Sequence, residues 1–180
     1  MDKRKAENAR VKKNIEDAFF ALLKEKSFSE ITVTDIVKKS GVARTSYYRN
    51  FNSKEDIIRA YIQRLREEID LALEYSAKTF GEKLNRQALT AHVSCYLKEK
   101  HIILLLYNSG FGPLMLDETN YYISEALGDM PCSSIERYSL YFASGAIFNA
   151  LMQWLQSGAK ETPNEMAQIM MTLIEKIYRH

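Results

Sequence analysis

The stretch "TVTDIVKKSGVARTSYYRN", residues 32–50, decides the fold. Thr32 followed three residues later by Asp35 is the pattern of a capping box, in which each side chain satisfies a free backbone N–H of the other. Apolar Ile36 and Val37 follow, and Lys38–Lys39–Ser40 leads into Gly41. Glycine reaches positive φ at little cost and ends a helix there. The segment "EITVTDIV" (30–37) has the β-branched composition of a strand, but the cap pattern and the Lys-Lys-Ser-Gly ending argue for a helix. A second short helix is predicted over 43–50. It places Arg44, Thr45, Ser46, Tyr47, Tyr48 and Arg49 in six consecutive positions. Small hydroxyls, rings and guanidiniums do not cluster this way on a helix meant for a core. Two short helices joined at a glycine describe a helix-turn-helix.

The flanks fit. Upstream, Ile15, Ala18, Phe19, Leu22 and Leu23 recur at helical spacing and predict an amphipathic helix over about 8–26. Downstream, Ser53 with Asp56 caps a long helix over about 54–78. The domain boundary is placed within it, giving domains 1–55 and 56–180. Helical segments continue over about 84–99, 101–108 and 113–127. "SSIE" (133–136) opens a helix to about 157, and "TPNE" (162–165) opens the last one, to about 178. "GFGP" (110–113) reads as a turn, not a phosphate loop, because no Lys-Ser/Thr follows and no strand precedes. The chain is therefore expected to be all-α.

Composition narrows the function. With 180 residues, 46% of them hydrophobic, the chain can build one core or a small module fused to a larger one. Residues 1–66 carry 16 Lys/Arg against 9 Asp/Glu, a net +7; residues 67–180 carry 9 against 14, a net −5. Basic residues concentrate in the first third, as an anionic partner there requires. Cys95 and Cys132 form no ligand spacing and read as reduced thiols of a cytoplasmic protein. His92 and His101 lack neighbouring metal ligands, and nothing marks a nucleophile, so no metal, cofactor or enzymatic activity is expected. The longest apolar run, "HIILLLY" (101–107), falls far short of the roughly 20 residues that span a bilayer. "MDKRKAENARVKKN" has no apolar segment after its charges, so no secretory signal is expected.

The second short helix suits the major groove of double-stranded DNA, where base edges offer donors, acceptors and thymine methyls. Arg44 can fork onto a guanine. Thr45 and Ser46 are short enough to allow close approach. The Tyr48 hydroxyl reaches a phosphate, and Arg49 adds charge. Tyr47 is a candidate contact whose spacing also allows it to face Ile36 in the core. Thr34 and Lys54 lie at the starts of the flanking helices, whose free N–H groups suit phosphates.

At these residues the sequence resembles the DNA-binding module of the TetR (tetracycline-repressor) family of bacterial transcription regulators. The likeness covers about residues 8–58 and rests on Thr32, Ile36, Gly41, Val42, Tyr48, Phe51, Ser53 and Lys54 at the pattern's positions. Two residues depart from it: Val37 where Ala is common, and Tyr47 where Leu or Phe is common. The resemblance implies a homodimer whose first three helices bind an operator and whose remaining helices form an effector pocket and dimer interface. It places Thr45, Ser46 and Tyr48 at base- and backbone-contacting positions, Lys54 at a phosphate-contacting one and Arg44 at a specificity-setting one. The segment "WLQSGAKETPNEMAQ" (154–168) is also similar to a subgroup that includes activators of dihydroxyacetone-kinase operons. That likeness is mostly helix-break chemistry and assigns no substrate.

In the C-terminal domain, Tyr138, Phe142, Gly145, Ala146 and Asn149 share one side of the 133–157 helix. Met166, Ile169, Met170, Leu173, Ile174 and Ile177 form an apolar stripe on the last helix. Two such helices per chain can build a four-helix interface with a second copy. Tyr96, His101, Tyr107, Phe111, Met115, Tyr121, Tyr122 and Trp154 combine apolar bodies with polar tips, the mixture a small apolar or aromatic effector needs. The expected function is a ligand-responsive repressor binding a near-palindromic operator as a homodimer. The alternative is an activator or co-regulator whose C-terminal domain binds a partner protein.

Overall fold

The structure, a computed structural model, describes residues 3–72, 86–127 and 134–178. The described residues contain nine α-helices and no strand. They are α1 (Lys3–Leu23), α2 (Val33–Ser40), α3 (Arg44–Asn50), α4 (Lys54–Ala72), α5 (Arg86–Lys98), α6 (Lys100–Leu106), α7 (Gly112–Leu127), α8 (Ser134–Gln156) and α9 (Pro163–Tyr178). The chain divides into two compact units, Met1–Arg64 and Leu65–His180. The division falls inside α4, further along than 55/56. Tyr61 still packs edge-on against Phe20 (ring centroids 5.0 Å apart), and Arg64 reaches Glu16 (3.3 Å). Both contacts bind the first half of α4 to α1.

In the first unit, Ile15, Phe19, Leu22 and Leu23 of α1 are buried, as their spacing predicts, with Ile36 of α2, Tyr47 of α3 and Ile57 and Ile58 of α4. The α1 helix starts earlier than expected. The segment 3–13 is rich in Lys, Arg, Glu and Ala, all good helix formers, and holds no breaker. Glu16 is buried beside these apolar groups. Its burial raises the carboxyl's pKa, and Arg64 opposes that shift.

The α2 cap forms as read. The Asp35 N–H donates to Thr32 Oγ1 (3.1 Å), and the Thr32 N–H donates to Asp35 Oδ2 (2.9 Å). Lys26 also donates to Asp35 (2.8 Å). That ammonium, with the Thr32 donors, holds the Asp35 carboxyl well below the usual range. Gly41 closes α2 with φ +68°, its N–H donating to the Val37 carbonyl. A Cβ there meets nothing within 4 Å, so the demand for glycine is purely conformational. Gly41→Ala is expected to lower stability by about 1 kcal/mol, with Gly41→Asn losing less. Urea melts of the two variants check this.

In the second unit, α9 packs along α5, and α8 is contacted by α5, α6, α7 and α9. Arg66 ties the end of α4 to α7, donating to the Glu118 carbonyl (3.0 Å). Between α6 and α7 the chain winds through a wider turn, Tyr107–Phe111, broken at Gly110 (φ 87°). Here the expected Gly-containing turn is present, but the helix resumes at Gly112. The capping box opening α9 also forms: Glu165 N–H to Thr162 Oγ1 (3.3 Å) and Thr162 N–H to Glu165 Oε2 (2.8 Å). The expected cap at 133, the continuation of α4 past 72, and Cys132 lie outside the described residues.

Candidate nucleic-acid interface

α3 is only seven residues, so its two sides are set by what it packs against. Phe51, its C-cap residue, and Tyr47 are buried; their rings sit 6.1 Å apart. Fixing those two inward turns Arg44, Thr45, Tyr48 and Arg49 outward, all exposed, with Ser46 half-buried between. Asn50 closes the helix by donating to the Ser46 carbonyl (2.8 Å).

The outward groups form a connected set. Arg44 Nη1 donates to Thr34 Oγ1 of α2 (3.1 Å), and Nη2 donates to the Tyr48 hydroxyl (3.2 Å). The guanidinium also lies 5.5 Å from the centre of the Tyr48 ring. Thr34 is exposed in the first turn of α2, which the Thr32–Asp35 cap fixes. One guanidinium is therefore held at the surface by a hydroxyl from each helix of the helix-turn-helix. Such a planar donor fork matches the paired acceptors of guanine.

Two of the expected DNA contacts point inward. Tyr47, a candidate DNA contact, is fully buried. Its hydroxyl finds no hydrogen-bond partner among the described residues, and burial pushes the phenol up to about 12, reinforced by Tyr48 and by Asp56 and Glu55. The apolar body of α1 and α2 claims that ring, as it would the Leu or Phe usual in the pattern. Lys54, the implied phosphate contact, turns its ammonium inward. It donates to the carbonyls of Phe28 (2.7 Å) and Ile31 (2.6 Å) and lies 4.2 Å from the centre of the Phe28 ring. A flexible four-carbon stem makes that direction invisible in the sequence.

In the second unit the expected pocket residues separate. Tyr96, Met115 and Trp154 are buried, on α5, α7 and α8. Burial pushes the Tyr96 phenol up to about 12, opposed by a hydrogen bond to Thr119. Trp154 Nε1 and Ser144 Oγ are buried with no hydrogen-bond partner among the described residues. Tyr107 and Phe111 are half-buried at the wide turn, where Tyr107 lies 6.3 Å from the Phe148 ring. His101 does not join them. It is exposed, because Ile103 and Leu106 take the inner face of α6, and Tyr121 is exposed on α7. The side chains of Tyr122 and Ile177 lie outside the described residues.

Of the expected interface residues, Tyr138, Phe142 and Asn149 on α8 and Ile169 and Leu173 on α9 are exposed, and Ala146 is half-buried. A Cβ built on Gly145 meets nothing within 4 Å, so this side of α8 faces open space. Met166 and Met170 correct the reading: both are buried, together with Ile174, inside their own unit. The period of 3.6 places them along one edge of the apolar stripe of α9, with Ile169 and Leu173 along its other edge. Tyr141 is also exposed. It stands three residues after Tyr138, a spacing that brings the two onto neighbouring turns of α8.

Among the described residues no three His, Cys, Asp or Glu side chains are grouped to hold a metal, and no helix is long and apolar enough to cross a membrane.

Comparison with known proteins falls on the same two units. The family model described as "Bacterial regulatory proteins, tetR family" matches residues 15–61, and one described as "Transcriptional regulator C-terminal region" matches residues 87–176. The uncharacterized HTH-type transcriptional regulator YxbF of Bacillus subtilis (strain 168) is 24% identical over 167 residues, covering 88% of this chain. The chain spans only 43% of that relative's length. Among solved structures, a TetR-family transcriptional regulator from Streptomyces coelicolor superposes with a TM-score of 0.61 at 19% identity, over 95% of this chain and 98% of its own. The dihydroxyacetone kinase operon activator DhaS does so with 0.57 at 14%, over 94% and 96%. The fatty acid degradation regulator FadR from Bacillus halodurans gives 0.51 at 16%, over 94% and 97%. At these identities the likeness is one of fold.

Proposed function

The chain belongs to the TetR family of bacterial transcriptional regulators, a family of DNA-binding proteins and not of enzymes, and from that membership we propose a ligand-responsive repressor that binds a near-palindromic operator as a homodimer. The observation that carries the DNA reading is the Arg44 guanidinium, held outward between Thr34 and Tyr48. Arg44 forks onto a guanine, Thr45 and Ser46 let α3 approach the base edges, and Thr34, Tyr48 and Arg49 engage the backbone. The apolar side of α8 and α9 joins two copies, setting two α3 helices about 34–36 Å apart for half-sites one turn of duplex apart. The buried, unpartnered Trp154 and Ser144 support an effector site in the second unit, since a ligand's polar group there relieves an unmet hydrogen bond. Its occupancy changes the spacing of the recognition helices through α4, by no more than its preference for one arrangement.

Operator titration tests the reading. Selection from random duplexes yields the operator. Log affinity should then fall linearly with log salt, by about 0.9 per neutralised phosphate. Arg44→Ala should weaken binding by about 1–3 kcal/mol and relax preference at one base pair per half-site. A uniform loss across all sequences would remove Arg44 from base reading.

A further inference from the structure

The Lys54 ammonium sits at the first residue of α4 and spends two of its three N–H donors on the Phe28 and Ile31 carbonyls. The Phe28 ring lies beside it, its centre 4.2 Å from the ammonium. These two carbonyls bracket the turn Phe28–Glu30, whose own bond, Ile31 N–H to the Phe28 carbonyl, is long at 3.3 Å. Ile31 is buried and directly precedes Thr32, the cap of α2. Two residues further on, Thr34 accepts from Arg44. A continuous series of bonds thus leads from the start of α4 to the outward guanidinium, and its first member is a charge-assisted pair, stronger than a neutral one. Ser53 and Asp56 fix the start of α4 itself, through Asp56 N–H to Ser53 Oγ (3.2 Å) and Ser53 N–H to Asp56 Oδ2 (3.0 Å). Lys54 therefore projects from an ordered helix end onto the turn.

We propose that Lys54 is a positioning residue: it latches the start of α4 to the 28–31 turn and so sets where α2 presents Thr34 to the Arg44 guanidinium of α3, in place of neutralising a DNA phosphate. A displacement of α4 reaches the DNA-facing side chains through this latch. The proposal rests on the DNA reading above for its consequence, but the latch is a property of the free protein.

Three measurements on the full chain test it. In the free protein, Lys54→Met should speed amide hydrogen exchange at residues 28–35; unchanged exchange there overturns the latch without reference to DNA. On the operator, Lys54→Met should bind about tenfold more weakly. Its slope of log affinity against log salt should match the unsubstituted protein. A slope shallower by about 0.9 assigns Lys54 to a phosphate and overturns the proposal. Lys54→Gln, whose amide can still donate to the same carbonyls, should recover part of the loss. A phosphate ligand instead lowers the salt slope equally in Lys54→Gln and Lys54→Met, because both lose the charge. Finally, Lys54→Met and Thr34→Ala combined should lose less than the sum of their separate effects on operator affinity. A strictly additive pair, or a Lys54 effect confined to melting temperature, reduces Lys54 to general stability and overturns the proposal. Circular dichroism at the titration temperature verifies folding; if Lys54→Met does not fold, Lys54→Gln carries the slope and exchange measurements.

Discussion

Tyr47→Phe is expected to bind the operator as tightly as the unsubstituted protein and to be more stable by about 1 kcal/mol. The ring at position 47 is fully enclosed, edge-on to Tyr48 (5.3 Å between centroids) and tilted against Phe51. Its hydroxyl has lost water and gained no partner among the described residues. Leaving such a group unsatisfied costs about 1–3 kcal/mol, and removing the oxygen while keeping the ring recovers part of that. Tyr47→Ala should do the opposite. Deleting a buried aromatic ring costs about 3–5 kcal/mol. That is a large share of the roughly 5–15 kcal/mol that holds a domain together. With the ring gone, α3 loses the contact that fixes its orientation, so operator binding should fall with the fold. Thermal and urea melts, with fluorescence anisotropy on labelled operator, measure both variants. Loss of affinity in Tyr47→Phe at undiminished stability would return its hydroxyl to the DNA surface.

The same residue shows what the sequence could and could not convey. Capping boxes are local, three-residue devices, so Thr32–Asp35 and Thr162–Glu165 were readable and appear as read. The burial of Ile15, Phe19, Leu22 and Leu23 was readable because α1 is long enough for its apolar period to repeat. α3 spans two turns, too few for a period to declare itself, and its inward side is chosen by Ile36 and Phe51 from outside. Tyr47 and Tyr48 are chemically identical neighbours, yet one is enclosed and the other 48% exposed. Lys54 presents a further barrier. Its helix start was correctly placed, but its ammonium is directed by carbonyls 23 and 26 residues away along the chain. In the second unit, the apolar stripe of α9 was legible as a stripe. Which edge of it belongs to the protomer's own core depends on α5, and no spacing within α9 records that.

In the proposed homodimer, Phe142→Asp is expected to separate the two copies and to weaken operator binding by about 10²–10⁴, the gain that joining two binding modules supplies. Phe142 is 58% exposed, Tyr138 64%, and Leu173 on the neighbouring α9 51%. Large apolar side chains this open, grouped on adjoining helices, mark a surface made to be covered. Tyr141 and the small residues Gly145 and Ala146 share that side of α8, so a facing helix can approach closely. An aspartate at 142 would place one unpaired carboxylate from each copy near the symmetry axis of such an interface. Enclosing an unpaired charge costs several kcal/mol, enough to separate the copies at micromolar concentration. Met170→Ala provides the contrast. Met170 is buried inside its own unit, so its loss should lower melting by the equivalent of about 2–5 kcal/mol without a specific change in association. Sedimentation equilibrium gives the mass of each variant, and titration against full and half operators separates the two effects. For Phe142→Asp the affinities for the two duplexes should converge, because a single protomer reads a single half-site. If Phe142→Asp stays dimeric and keeps its preference for the full operator, the α8–α9 surface is not what holds the copies together.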